Sequence, residues 1–158
     1  MNHFSINDIA EYFGGFSSFQ FTPSQNLSNI PNVVSAEISS AVSFSGSNDW
    51  YDGSFLKGSS SLSEKQKETD GNDYHELLFS AKVPGHDKEL LALFQEMKRY
   101  RHIILVTDNQ GDKRLCGTLQ EPLRFSFNVI TQEQPGDFKG IEFSFYGNLQ
   151  NPAPVYTA

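Results

Sequence analysis

Residues 101–147 constrain the fold most, because three apolar runs keep a strand's period and two polar segments separate them. Residues 103–106, Ile-Ile-Leu-Val, are a short continuous apolar run, the pattern of a buried strand. Leu123, Phe125, Phe127 and Val129 then alternate with Arg124, Ser126 and Asn128. Ile141, Phe143 and Phe145 alternate with Glu142, Ser144 and Tyr146. Successive strand side chains point to opposite faces, so one set belongs to a core and the other to solvent or a partner.

The same period recurs upstream. Phe19 and Phe21 alternate within 16–21, and Leu77, Phe79, Ala81 and Val83 within 74–83. Across 33–44, Val34, Ala36, Ile38, Val42 and Phe44 share one parity, which predicts one long strand. Pro84 and Gly85 break the pattern, and 86–100 reads as the main helix. Leu90, Leu93, Phe94 and Met97 recur there at helical spacing and predict packing over a sheet face. Asp87 and Glu89 fall in its first turn and Lys98 and Arg99 in its last, as the helix dipole favours. A short helix is expected over 5–13, capped by Ser5 and stopped by Gly14 and Gly15. Residues 108–113, DNQGDK, read as a turn and 131–139 as a hairpin loop. Pro122 divides 115–119 from 123–130, two pieces joined by a kink. Residues 148–158 read as a polar, proline-containing tail extended along the surface.

Residues 46–73 are the least conventional part, with glycine, serine and charge around an aromatic island of Trp50, Tyr51 and Phe55. Two readings stand: a mobile loop, or an extended hairpin arm that orders on a neighbouring subunit. In the second, Trp50, Tyr51, Phe55 and Leu62 are the interface anchors, since aromatics dominate interface energetics. Trp50 has a plainer role open to it, as a residue covering the edge of the sheet.

At 158 residues the chain suits a single domain, 1–158, with a core that needs no staples. Its 14 Phe residues lie largely in the alternating segments and are assigned to that core. A net charge of −7 argues against a nucleic-acid face built on a general basic surplus. The single cysteine, Cys116, reads as a small buried hydrophobe. The four histidines, at 3, 75, 86 and 102, have no partners at metal-ligand spacing. No serine sits in a nucleophile elbow. Glu64, Glu68, Asp70 and Asp73 are interleaved with Lys65 and Lys67, the pattern of a solvated segment. The expectation is therefore no catalytic residue, no cofactor and no metal. The opening residues lack the charged and apolar regions of a secretory leader, and no apolar run reaches membrane-spanning length.

The segment RLCGTLQEPLRFSFNV…GDFKGIEFSFYG, with the helix and the IILV strand before it, resembles small virion proteins of phages that infect Bacteroidetes. The order of elements is similar to that of the tail-tube family, and more loosely to tail terminators and neck proteins. The resemblance implies a mainly β fold, an antiparallel sandwich or barrel with one flanking helix and a long hairpin arm. It further implies a virion location after assembly in the host cytoplasm, and rings, hexamers by analogy, contacting other tail proteins. DNA would pass through the lumen unbound, repelled by an acidic lining. The contrasting reading is a monomeric or dimeric β-sandwich that binds carbohydrate through Trp50, Tyr51 and Phe55.

Overall fold

The computed structural model describes residues 15–85, 87–131, 136 and 138–158. The helix expected over 5–13, and most of the 131–139 loop, lie outside the described residues. Twelve strands and one α-helix follow in order. They are β1 (Phe16–Pro23), β2 (Leu27–Asn29), β3 (Glu37–Ile38), β4 (Ser43–Phe44), β5 (Tyr51–Gly53), β6 (Ser61–Thr69) and β7 (Asn72–Pro84). Then come α1 (Lys88–Met97), β8 (His102–Asp108), β9 (Lys113–Cys116), β10 (Arg124–Thr131), β11 (Lys139–Leu149) and β12 (Val155–Tyr156). One sheet runs β3-β12-β9-β8-β1-β5, a second runs β10-β11-β7-β6, and β2 and β4 form a small ribbon. Pairing is antiparallel except between β12 and β3. Neither large sheet closes on itself, so the fold is mainly β with a flanking helix, as the residue pattern predicted, and sandwich-like, one of the two architectures expected.

The alternating segments supply the core between the sheets. Phe19 and Phe21 of β1, Leu77, Phe79 and Ala81 of β7, Phe125 of β10, and Ile141, Phe143 and Phe145 of β11 are all buried there. Phe19 is its hub, with its ring 5.5–6.0 Å from those of Phe21, Phe55, Phe79, Phe143 and Phe145. The ring rests on the backbone of Gly53, where a Cβ would overlap it. Asp87 caps α1, its carboxylate accepting from Leu90 N at 2.7 Å. Phe94 and Met97 are buried against the sheets, Leu90 is half-buried, and Leu93 is 46% exposed, outside the expected stripe. The helix ends at Met97, so Lys98 is its C-cap and Arg99 lies beyond its last turn.

A second apolar cluster explains the continuous run in β8. Ile104 and Val106 enter the main core, whereas Ile103 and Leu105 face Leu27, Ile38, Val42, Leu115 and Tyr156 on the other side. The six-stranded sheet is thus covered on both faces, which requires the unbroken hydrophobicity of 103–106.

Three expectations are corrected. Residues 33–44 are not one strand. The chain reverses at Ser35 and Ala36, both with positive φ (52° and 64°), between paired Val34 and Glu37. Among the described residues no neighbouring strand runs the length of the segment, and Val33 and Val34 are 53% and 70% exposed. Alternation alone cannot supply a partner for the backbone. The C-terminal residues are not a surface tail. β12 is inserted between β3 and β9, and Tyr156 is buried with its hydroxyl accepting from Val42 N at 3.2 Å. Finally, the pieces either side of Pro122 are not one kinked strand. β9 joins the six-stranded sheet and β10 the four-stranded one.

Candidate functional site

The four expected interface residues do not share one surface. Phe55 stacks on Phe19 and meets Phe79 edge-on, and Leu62 packs against the same core. Trp50 meets Phe44 edge-on at 5.6 Å and closes the second cluster, the plainer role considered for it. Tyr51 lies on edge strand β5, half exposed, with its ring 5.7 Å from Phe21. Only Tyr51 leaves a large part of its side chain free for a partner.

Residues 46–73 are correspondingly built into the fold. All nine residues of β6 pair with β7, from Ser61 opposite Ser80 to Thr69 opposite Asn72. Asp70 and Gly71 turn the hairpin, both with positive φ (52° and 79°), as a two-residue turn of the primed type requires. That dipeptide was the sequence signal for a regular hairpin here. Glu64 fastens β6 across the sandwich. Its Oε1 lies 2.5 Å from Arg114 Nη2 of β9, and its Oε2 accepts from Ala153 N at 2.7 Å. Arg114 donates from Nε and Nη2 to Ala153 O at 3.1 and 2.6 Å. This clasp joins the arm, β9 and the segment leading into β12. The sequence pattern, which read Glu64 as one of a solvated charge run, gave no sign of it.

What the four-stranded sheet leaves open is its two borders. β10, eight residues long, and β6, nine residues long, each have one paired side and no strand on the other among the described residues. Unpaired edges of this length are ready templates for another chain. β10 carries no Pro and no register shift, and its one charge, Arg124, stands at its first residue. Its Val129 is 49% exposed. The face between the borders is polar. Ser61, Ser80, Ser144 and Ser126 form one transverse row, hydroxyl pairs 3.0 Å apart at either end.

Two reactive side chains are withdrawn from solvent. The Cys116 thiol is fully buried, and desolvation pushes its pKa up to about 12. His102 is buried among Phe21, Phe125 and Phe145, with its Nε2 2.8 Å from the Met97 carbonyl. A carbonyl only accepts, so Nε2 carries the proton and Nδ1 is a lone pair without a partner among the described residues. Burial holds the imidazole pKa below its ordinary 6.5, against the raising effect of the Met97 hydrogen bond. No cluster of three metal-ligating side chains occurs among the described residues, and no described helix is long and apolar enough to cross a membrane.

No protein-family model matches the chain, and no curated protein or solved structure is significantly similar to it.

Proposed function

We propose that this chain is a non-catalytic structural protein of a phage virion that assembles into the rings of a tail tube or of a tail or neck connector. One observation carries the reading: β10 and β6, the open borders of the four-stranded sheet, run in opposite directions. Copies related by rotation about an axis near the strand direction set β6 of one beside β10 of the next. The even strand number makes that junction antiparallel, so the sheet continues from copy to copy and closes with no edge left. The hexamer, the other tail proteins as partners, DNA passing through the lumen and assembly in the host cytoplasm belong to this proposal by resemblance.

The sheet face modifies the expected acidic lining. Lys65, Lys67, Lys82 and Arg124 stand on its outward parity with only Glu76 and Glu142. A lumen lined by this face would be polar and not acidic, and the chain's negative charge lies elsewhere. The contrasting platform of Trp50, Tyr51 and Phe55 has less support, because each ring is engaged by a different phenylalanine.

Size-exclusion chromatography with light scattering, followed by negative-stain microscopy, tests the ring. The parent chain is expected to form rings or stacked rings as its concentration rises. Val129→Lys places a charge on the β10 edge at an exposed position and is expected to leave a folded monomer that does not assemble. A parent chain that stays monomeric at every concentration would sink the proposal, as would a Val129→Lys variant that assembles like the parent.

A further inference from the structure

We infer that the outward face of the four-stranded sheet holds a saccharide-binding site centred on Tyr146. Leu78, Tyr146 and Arg124 stand side by side on it, in register across β7, β11 and β10. Leu78 is 42% and Tyr146 38% exposed, two neighbouring large side chains left open on that face. They border a concavity of about 620 Å3, whose wall also includes Glu76, Asn148 and Pro122. That volume lies in the range of roughly 300–1,000 Å3 usual for small-molecule sites. The side chains of Arg124, Tyr146 and Asn148 make no hydrogen bond to any described residue. Glu76 is paired with Lys67 at 2.8 Å, and that hydrogen bond lowers its carboxyl pKa below the ordinary value.

The chemistry of these groups selects the ligand. A pyranose has an apolar C–H face and a rim of hydroxyls that both donate and accept. Tyr146 and Leu78 offer a surface to the first. Arg124 only donates, Glu76 only accepts and Asn148 does both, which together suit the second. The cations Lys65, Lys67 and Lys82 of the same face make single-stranded DNA the competing ligand, but within the concavity the one cation, Arg124, is balanced by Glu76, which favours a neutral ligand there. A peptide adding as a strand would use the sheet edge, not its face. The site reaches border strand β10 through Arg124, but one copy carries all of its residues, so binding does not require ring formation.

The test is titration calorimetry and saturation-transfer NMR of the full chain with maltotriose, cellotriose, xylotriose and chitotriose. At least one is expected to bind in the micromolar-to-millimolar range. Tyr146→Ala should weaken that binding about tenfold, the scale of one lost aromatic contact. Tyr146→Phe keeps the platform and should retain most of the binding, while Trp50→Ala should leave it unchanged. Melting curves of each variant check that the fold survives. The proposal is overturned if none of the four sugars binds, or if binding survives Tyr146→Ala or is lost in Trp50→Ala. It is also overturned if a single-stranded DNA oligonucleotide binds this face and the sugars do not.

Discussion

His102 shows what a single buried polar residue does to this protein. Its ring fills an apolar space among three phenylalanines, yet it keeps one unpartnered nitrogen there. Protonating Nδ1 would place a charge and an unpaired donor among aromatic rings. Because the folded-state pKa lies below the ordinary 6.5, the unfolded chain takes up the proton first. His102 therefore leaves stability untouched above about pH 6.5 and erodes it as pH falls through that value towards the folded pKa. A full one-proton difference between the two states limits that loss to at most about 1.4 kcal/mol per pH unit. Denaturant titrations between pH 5 and 8 should show this slope, and His102→Phe should flatten it relative to the parent. An unchanged slope would mean that His102 does not titrate differently on unfolding.

At the scale of elements, the β6–β7 hairpin separates into two parts. The base, up to Glu64, contributes Leu62 to the core and the Glu64–Arg114–Ala153 clasp. The tip, 65–73, is exposed and contacts no core cluster. Deleting 58–70 removes the base and should lower thermal stability sharply, whereas a shortened tip that keeps an Asp-Gly turn should leave it near the parent's. Glu64→Ala leaves the Ala153 amide without its acceptor and Arg114 without its carboxylate partner, though still bonded to Ala153 O, and should cost about 1.5–3 kcal/mol, the usual scale of hydrogen bonds to charged groups. Denaturant midpoints check each variant. A 58–70 deletion that melts with the parent would restore the view of this segment as a detachable arm.

For the molecule as a whole, β8 is where the two apolar clusters meet. It pairs with β1 on one side and β9 on the other, and residues 102–106 are all buried. No local opening can expose its amides without separating both layers, so they should exchange only through global unfolding. Hydrogen exchange is expected to be slowest at Ile103, Ile104, Leu105 and Val106, and fast at 65–73. Fast exchange in β8 would place the stable centre of the fold elsewhere.

Periodicity by itself determined the parts of this protein whose partners follow from pattern. The inward sets of β7 and β11, that of β10 apart from exposed Val129, the buried β8 run, the main helix and the 108–113 turn were legible, because burying one face imposes a period of two and burying a helix stripe imposes one of 3.6. Tertiary structure decided the rest. Val34, Ala36, Ile38, Val42 and Phe44 alternate as well as any strand here, but a strand needs a neighbour, and only the packing shows that, among the described residues, none runs beside the whole segment. Val155 and Tyr156 are too short a signal to predict a strand, yet the gap between β3 and β9 accepts them. Glu64 looks like any solvated carboxylate until β9 brings Arg114 across from a distant part of the sequence. The two candidate functional features have the same origin. An open edge is an unpaired backbone, and the surface around Tyr146 needs Leu78 and Arg124 beside it across strands. Both are relations between distant segments, and no local pattern encodes them.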